Sequence, residues 1–349
     1  MKIALITDTH FGVRNDSPHF MDYFSRFFNN VFFPYCKENE ITQSIHLGDL
    51  MDRRKYVNYN TLHGIQHDFI KKLKDNNIKM HCLIGNHDAF YKNTNKINSL
   101  QELFSKNDNL VIYDEPTELV FDDLCVGLVS WINKENYDES MEFLQNCKCP
   151  IICGHFELTG YEVMRGVNFH GGMSDSFLKR FEMVLSGHFH SKSHKNNVHY
   201  LGTPYQMTFS DLNDKKGFHV LDTETREIEF IENPEKMFFS FEYDDTKENN
   251  EVLDIDFEEF SNKYIKLFVN KKENSVEFDS FLDTLMDVDN LDLTVIEDMG
   301  DVEFDEEMID MGQDTLSIIS NEIDLNTELD NKDSLKQLAK TLYMESLSL

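Results

Sequence analysis

Five short motifs carry side chains that can bind metal ions, and each follows a short apolar run. In chain order they are Asp8-Thr9-His10, Gly48-Asp49-Leu50-Met51-Asp52-Arg53, Gly85-Asn86-His87-Asp88, Gly154-His155-Phe156-Glu157 and Gly187-His188-Phe189-His190. Apolar runs of this length, bounded by glycine or aspartate, predict buried strands. Because strands of one sheet deliver their ends to a common edge, we expect the five motifs to converge at one site.

Together the motifs offer a mixed set of oxygen and nitrogen ligands, which are Asp8, His10, Asp49, Asn86, His155, His188 and His190. A ligand set of imidazoles with a few carboxylates suits Mn²⁺, Fe²⁺ or Zn²⁺. It suits Ca²⁺ less well, because Ca²⁺ prefers sites made of oxygen ligands only. Seven ligands exceed the needs of one ion. Shared between two ions about 3.5–4 Å apart, with one bridging carboxylate, they would form a clamp for the hydrolysis of phosphate esters.

His87 is a further imidazole that need not contact metal. It is a candidate to protonate the leaving oxygen, with a carboxylate such as Asp52 fixing its tautomer. Any single histidine is more often a surface or core residue, and only the order and strand-end placement of all five motifs favour chemistry. We interpret the other nine histidines, His46 and His219 among them, as structural.

These motifs resemble those of the calcineurin-like metallophosphoesterases. The resemblance implies a two-sheet β-sandwich flanked by helices in four layers, in the α/β (α+β) class. One metal ion would be held by Asp8, His10, Asp49 and His190. The other would be held by Asp49, Asn86, His155 and His188, so that Asp49 bridges. The resemblance also implies that His87 is the proton donor and transition-state stabiliser, Asp52 its carboxylate partner and Arg53 a phosphate contact.

Within that superfamily, the chain most resembles the nuclease subunits of SbcD-type double-strand-break processing complexes, especially those of tailed phages. The supporting stretches are Gly154 to Leu158, Tyr200-Leu201-Gly202-Thr203-Pro204, and Gly217-Phe218 leading into Asp222-Thr223-Glu224-Thr225. The resemblance implies a Mn²⁺-dependent DNase, an exonuclease on duplex ends and an endonuclease on single strands, working in recombination and repair. It also implies a coiled-coil ATPase partner. The sequence contains no Gly-x-x-x-x-Gly-Lys-Ser/Thr loop, so ATP-driven motion would come from another polypeptide.

Strand-length and helix-period segments alternate along the first 240 residues, as in an α/β protein. We predict helices over His19–Lys37 and Tyr59–Lys74, and a β-meander over Val198–Leu201, Phe218–Leu221 and Ile228–Ile231. The predicted domains are a nuclease domain (1–238), a small βαβ capping domain (239–297), an acidic linker (298–313) and a helical partner-binding segment (314–349).

The chain has 349 residues and a formal net charge of −31, which argues against a nucleic-acid partner until its distribution is considered. Residues 241–349 contain 31 acidic and 8 basic side chains, so most of the excess lies at the back of the chain. No apolar run approaches the ~20 residues needed to cross a bilayer, and the first residues do not resemble a signal peptide. We therefore expect a cytoplasmic protein with reduced cysteines and no membrane partner.

Basic side chains follow three of the motifs and predict sequence-independent contacts to DNA phosphates. They are Arg54, Lys55, Lys92, Lys96, Lys192 and Lys195, and Lys215 and Lys216 lie in a later turn. The alternative is that these are ordinary solvated loop residues. Near the end of the chain, Leu335, Leu338 and Leu342 form an amphipathic stripe that either docks on the partner ATPase or packs on its own domain.

Two other clusters have two interpretations each. A phenylalanine-rich stretch supplies either a homodimer surface or part of the core, and it comprises Phe20, Phe24, Phe27, Phe28, Phe32 and Phe33. Cys147, Cys149 and Cys153 suggest a zinc knuckle but lack a fourth ligand, which favours their burial as small apolar residues.

Two alternative functions compete with the nuclease. One is a phosphatase of the same superfamily that acts on phosphoproteins or nucleotides, which would need neither a cap domain nor a detachable helix. The other is a non-catalytic scaffold, which the intact ligand set disfavours.

Overall fold

The computed structural model describes residues 1–164, 167–246 and 257–297, together with Lys332 and Leu335. Residues Met1–Met207 and Asp211–Asp298 belong to one compact unit. The predicted acidic linker (298–313) lies outside the described residues, as do Leu338 and Leu342 of the predicted partner-binding stripe. Within the described part of the chain, no helix is both long and apolar enough to span a membrane.

The first of two six-stranded sheets has the strand order β16-β15-β1-β2-β3-β6. Its strands are β1 (Lys2–Ile6), β2 (Gln43–His46), β3 (Lys79–Leu83), β6 (Leu110–Tyr113), β15 (Gly217–Asp222) and β16 (Ile228–Glu232). Strands β1, β2, β3 and β6 are parallel, whereas β15 and β16 add an antiparallel edge. Four of the five residues of β1 are buried, which explains why the chain begins with an uninterrupted apolar run.

The second sheet has the order β13-β14-β12-β9-β8-β7. Its strands are β7 (Thr117–Phe121), β8 (Leu124–Val129), β9 (Ile151–Gly154), β12 (Met183–Ser186), β13 (Ser193–Lys195) and β14 (Val198–Tyr200). Here β8, β9, β12 and β14 run parallel to one another. Two hairpins lie outside the sheets, β4 (Ala89–Tyr91) with β5 (Thr94–Asn98), and β10 (Glu162–Met164) with β11 (Val167–Asn168).

The two sheets pack face to face through a fully apolar layer, as a β-sandwich does. Ile3, Leu5 and Ile45 from the first sheet meet Leu128 and Leu185 from the second. The helices of this part are α1 (Val13–Asp16), α2 (Pro18–Phe27), α3 (Phe33–Glu38), α4 (Tyr59–Gly64), α5 (Lys71–Asp75), α6 (Ser99–Phe104) and α7 (Tyr137–Asn146). The predicted sandwich flanked by helices is therefore confirmed.

A separate three-stranded parallel sheet follows in the chain. It consists of β17 (Phe238–Asp244), β18 (Tyr264–Lys271) and β19 (Asp292–Glu297), and α8 (Ser275–Asp287) connects the last two strands. Asn274 caps α8 by accepting a hydrogen bond from the Glu277 main-chain N–H at 3.3 Å. These strands and their helix enclose a small core of their own, as a βαβ unit must.

One predicted arrangement of strands is wrong, whereas helices do cover both of the long segments predicted to be helical. Strand β14 pairs in the second sheet while β15 and β16 pair in the first, so the expected β-meander does not exist. Both long predicted helices contain a π-helical segment, Phe28–Phe32 between α2 and α3, and Ile65–Ile70 between α4 and α5. A π-segment keeps the chain helical while inserting a residue, so sequence periodicity alone does not reveal it.

Burial and bonding decide between the two interpretations given for the phenylalanine-rich stretch and for the cysteines. The phenylalanine-rich stretch offers no homodimer surface, because all six rings are at most 4% exposed and belong to the core. Cys125 and Cys149 form a disulfide, contrary to the expectation of six reduced cysteines, because neighbouring strands β8 and β9 bring their Cα atoms within 4.7 Å. Cys147 and Cys153 are free and buried.

Candidate metal centre

The five motifs lie at the carboxyl ends of parallel strands from both sheets. Strands β1, β2 and β3 lead into the first three motifs, and β9 and β12 lead into the last two. The sandwich therefore delivers residues separated by as much as 180 positions to one edge: the Nε2 atoms of His10 and His190 lie 3.1 Å apart.

Tight backbone turns make this convergence possible. Asp8, His10, Asp49 and His188 have positive φ angles of 50°, 43°, 55° and 88°, a region that side chains other than glycine seldom occupy. Gly48 has a φ of 102°, and a Cβ there would lie 2.6 Å from His155 Nδ1. Strained backbone of this kind is typical of functional sites, where the surrounding structure enforces it.

Three overlapping groups of side chains bring ligand atoms within 4.8 Å of one another and could hold a metal ion. They are Asp8–His10–His190, His10–Asp49–His87 and Asp49–His155–His188. Asp49 Oδ2 lies 3.3 Å from His155 Nε2 and 3.8 Å from His10 Nε2, so it sits between the outer two groups. Asn86 joins the last group, since its Oδ1 lies 2.9 Å from His155 Nε2 and 2.8 Å from His188 Nδ1.

The hydrogen bonds around these ligands leave their lone pairs directed at one another. His155 Nδ1 donates to the Leu47 carbonyl at 2.8 Å, so its Nε2 is free to accept. Asp49 Oδ1 accepts from the His87 main-chain N–H at 2.7 Å, which leaves Oδ2 facing the imidazoles. Converging acceptors repel unless a proton or a cation lies between them, so the donor set fits divalent metal ions.

The electrostatics of the centre keep Asp8 ionised and His188 and His190 neutral, whereas they favour the protonated form of His155. Burial raises the pKa of Asp8, but its hydrogen bond with His10 and the charge of His155 outweigh burial and lower it to about 2. Burial lowers the pKa of His188 to about 3 and that of His190 to about 4, so both are neutral near pH 7. Burial opposes protonation of His155, yet Asp49 raises its pKa to about 9. A bound cation would take the place of that proton.

The contact between His87 and Asp52 differs from the one expected from the sequence. His87 Nδ1 donates to the main-chain carbonyl of Asp52 at 2.6 Å, and not to its carboxylate. The Asp52 carboxylate instead lies 3.4 Å from His10 Nδ1. The tautomer of His87 is thus set by backbone, which leaves Nε2 as the atom able to exchange a proton with a substrate.

Arg53 is held beside the loop that follows His10. Its guanidinium forms an ion pair with Asp16 at 2.6 Å and donates to Asn15 at 2.9 Å. It also lies 5.0 Å from the ring of Tyr56, which is exposed. Arg53 is therefore positioned by side chains of a neighbouring loop and is 20% exposed.

The six predicted DNA-contacting cations differ in their surroundings. Lys55 and Lys92 are exposed. Arg54 is half-buried, donates to the Ala89 carbonyl at 3.4 Å and lies over the Trp131 ring. Lys96 pairs with Glu135.

Of the other two, Lys195 is the last residue of β13 and Lys192 lies just before that strand. Lys195 donates to the Gly160 carbonyl at 2.9 Å, and the Lys192 ammonium rests 3.5 Å from the centroid of the Phe230 ring. Neither lysine lies in any of the candidate ligand groups. The structure thus does not gather all six cations into one cluster.

Two supporting residues were not assigned a role from the sequence. Buried Asp88 accepts main-chain N–H bonds from Gly85 at 2.9 Å and Met51 at 2.9 Å, and so joins two ligand-bearing loops. Buried Lys216 donates to the His190 carbonyl at 2.9 Å. Asp88 lies within a recognised motif and could have been found, whereas no sequence signal separates Lys216 from an ordinary turn lysine.

Lys216 is correspondingly unavailable to DNA. Its ammonium pairs with Asp211 at 2.7 Å and with Asp214 at 3.3 Å, and its side chain is 3% exposed. The expectation that this turn lysine contacts phosphate is therefore wrong, and its role is to hold the backbone behind His190.

Comparison with known proteins identifies the class. A family model for calcineurin-like phosphoesterases matches residues 1–192 of the chain. The match covers more than half of the 349 residues, so the chain belongs to that family and is an enzyme that hydrolyses phosphoester bonds. Enzymes of this family use divalent metal ions, in agreement with the groups of histidines and carboxylates described above.

A more specific relative is a phage protein. The chain is 32% identical to "Exonuclease subunit 1" of Enterobacteria phage T4 over 351 residues, 99% of each protein. Among solved structures, it resembles an archaeal phosphodiesterase (15% identity, TM-score 0.32, 67% of this chain and 100% of that one). It also resembles a dimetal phosphatase from Danio rerio (11% identity, TM-score 0.39, 63% of this chain and 91% of that one).

Proposed function

We propose that this chain is a two-metal-dependent DNA nuclease that acts on duplex ends as an exonuclease and on single strands as an endonuclease. The observation that supports it most is the position of Asp49 Oδ2, between a group containing His10 and a group containing His155. That arrangement suits a carboxylate that bridges two ions. The similarity to a phage exonuclease subunit along the whole chain favours DNA as the substrate.

In this proposal, each ion has its own ligands besides the shared Asp49. Asp8, His10 and His190 would hold one ion, and Asn86, His155 and His188 the other. The mixed nitrogen and oxygen set favours Mn²⁺. Bound there, the ions would neutralise phosphate charge and supply a water of lowered pKa.

The chain's own residues position the substrate and move a proton. His87, whose Nδ1–H is held by the Asp52 carbonyl, would present Nε2 to the leaving oxygen. The Asp52 carboxylate, 3.4 Å from His10 Nδ1, would orient that ligand. Arg53, fixed by its ion pair with Asp16, would contact a phosphate oxygen. Because the basic residues carry no arrangement for reading base edges, we propose sequence-independent binding.

The relative is named as a subunit, which supports a partner chain for this protein too. We propose that the partner is the coiled-coil ATPase implied by the sequence, bound through the segment 314–349. Leu335 is described, but its companions in the stripe are not, so this part of the proposal rests on the sequence. Deleting 314–349 should abolish capture of the ATPase and preserve Mn²⁺-dependent cleavage of short substrates, whereas loss of both activities would contradict it.

His87→Ala tests the proposed proton transfer. We expect kcat on linear duplex DNA to fall by about 10²–10⁴-fold, the usual contribution of one general acid. Binding of Mn²⁺ and of DNA should remain near that of the unchanged chain, because His87 contributes no ligand in the proposed set. His63→Ala, on a helix and away from the ligands, is the matched control.

The same assay separates nuclease from phosphatase. The chain with Mn²⁺ is given linear duplex DNA, single-stranded circles and a phosphomonoester such as p-nitrophenyl phosphate. Cleavage of both DNA forms supports the proposal. Hydrolysis of the monoester with intact DNA, even with the ATPase added, would overturn it, and normal cutting by His87→Ala would refute the role of that imidazole.

A further inference from the structure

A cavity of about 250 Å³ opens between the two sheets at the edge formed by β13–β14 and β15–β16. One wall continues directly from the metal centre, since Lys192 follows the ligand His190 by two residues. The opposite wall is formed by His219 on β15 and by Ile228 and Phe230 on β16. The proposed metal centre does not use this cavity.

Inside the cavity, a polar group occupies a position expected to be apolar. His219 lies on β15 two residues before Leu221, which belongs to the apolar layer between the sheets. Its side chain is only 4% exposed, and its Nδ1 has no hydrogen-bond partner. Within the described chain, its other nitrogen has none either. Because Nδ1 is buried out of reach of solvent and Nε2 is not, Nε2 is the nitrogen that a ligand in the cavity could pair with.

A positive charge stands at the mouth. The Lys192 ammonium rests on the face of Phe230, 3.5 Å from the ring centroid, and forms no ion pair with any described carboxylate. The nearest acidic side chains are already engaged: Glu232 pairs with Lys215 at 2.9 Å, and Asp214 pairs with Lys216. Among the described residues, the Lys192 ammonium thus has no direct ion pair, although Glu232 and Asp214 act on it from a distance, and it can receive a phosphate oxygen.

The remaining walls are aromatic or apolar. The imidazole rings of His194 and His199 stack with centroids 4.1 Å apart, and Ile228 faces them across the cavity. A simple oxyanion would find few donors here, whereas a flat heteroaromatic ring with hydrogen-bonding edges matches both the apolar walls and the unpaired imidazole. The volume is slightly below the ~300–1,000 Å³ of pockets for drug-sized ligands, which limits the occupant to one small unit.

We propose that this cavity binds a single deoxynucleotide, with its base beside His219 and its phosphate at Lys192. The choice of a deoxynucleotide rests on the proposed function as a DNA nuclease. Two sources share this chemistry, a mononucleotide released by hydrolysis and one nucleotide of a single strand. Binding at this position would place a nucleotide next to the loop that carries His190.

The test measures binding without hydrolysis. The full-length chain in EDTA, verified as folded by circular dichroism, is titrated calorimetrically with deoxyadenosine 5′-monophosphate, deoxyadenosine and inorganic phosphate. We expect one mononucleotide site per chain, with the nucleoside and phosphate each binding at least tenfold more weakly. Lys192→Met should weaken the mononucleotide about tenfold or more. Lys179→Met, at an exposed lysine that pairs with Asp175 and does not line the cavity, should leave it unchanged.

A second readout locates the ligand. Histidine ring resonances in NMR spectra should shift for His219, and His219→Phe should abolish binding while keeping the fold. A short single-stranded oligonucleotide that displaces the mononucleotide identifies the strand as the source, and one that does not identifies the free product.

Absence of mononucleotide binding, or equal effects of the two lysine variants, would overturn the proposal. The nuclease assignment is tested separately by Mn²⁺-dependent cleavage, so the two results can fail independently.

Discussion

Gly85→Ala is a direct test of the close packing that positions Asp49. A Cβ on Gly85 would lie 2.1 Å from Asp49 Oδ1 and 2.2 Å from its main-chain nitrogen. Since ordinary contacts of carbon need about 3.5 Å, Asp49 would have to move by about 1 Å or more. Gly85 has no positive φ, so alanine is acceptable to its own backbone and the effect arises from this contact alone.

The displacement falls on the carboxylate proposed to bridge two ions. Asp49 Oδ1 is held by the His87 N–H at 2.7 Å, and its movement shifts Oδ2 away from both groups of imidazoles. A misplacement of about 1 Å in a catalytic arrangement costs about 10²-fold in rate. Overpacking of the buried contact should also lower the free energy of unfolding by about 1–3 kcal/mol.

Calorimetric titration with Mn²⁺ and turnover of bis(p-nitrophenyl) phosphate measure the two consequences. We expect weaker metal binding and a fall in kcat/KM of about 10²-fold. Gly64→Ala is the matched control, because its nearest contact would be 3.4 Å from the flexible end of Met21. It lies in α4, where alanine stabilises by up to about 1 kcal/mol. A Gly85→Ala chain that binds Mn²⁺ and turns over normally would refute this account of Asp49.

Other predictions concern stability. Lys216→Met leaves the buried carboxylate of Asp211 and the partly buried carboxylate of Asp214 without their cation and should lower the free energy of unfolding by about 3–5 kcal/mol in urea. Lys215→Met, at an exposed pair, should change it by less than about 1 kcal/mol, and equal effects would contradict the buried network. Burial lowers the pKa of His81 from 6.5 to about 4. The unfolded chain therefore takes up that proton first as the pH falls, and stability decreases between those values. His81→Gln should reduce the loss between pH 7 and 5 by up to about 2 kcal/mol, and an unchanged pH slope would disprove it.

The sequence was sufficient to predict an α/β protein and the meeting of the five motifs because both depend on local signals, whereas the sandwich was implied by the family resemblance. Buried parallel strands require continuous apolar runs, and their carboxyl ends share an edge. Given those two facts, Asp8 and His188 must approach each other, and the structure places the His188 N–H 3.0 Å from Asp8 Oδ2. The roles proposed for these residues remain predictions, because the proximity of side chains does not demonstrate metal binding or catalysis.

What the sequence did not reveal depends on contacts that leave no local pattern. Strand β14 has the length and polarity of its neighbours in the chain, and only the pairing Val184↔Val198 assigns it to the other sheet. The Asp52 carbonyl holds His87 because of the course of the backbone between them, and a carbonyl is present at every residue. Lys216 likewise has the same side chain as Lys215. Only their burial differs: Lys216 forms a buried ion pair behind His190, and Lys215 forms a solvated one.

The loop after β1 links the metal centre to the small parallel sheet. It carries His10, then Arg14, then Asp16, which pairs with Arg53. Arg14 donates to the Met207 carbonyl at 3.1 Å, and its guanidinium lies 5.7 Å from the ring of Phe238 at the start of β17. A cation over an aromatic ring contributes about 0.5–2 kcal/mol, so a shift of β17 changes the energy of the same loop that supplies His10. Contacts therefore join the loop after β1 to the strand at the predicted boundary between residues 238 and 239. The small sheet helps to hold the proposed catalytic loop in place.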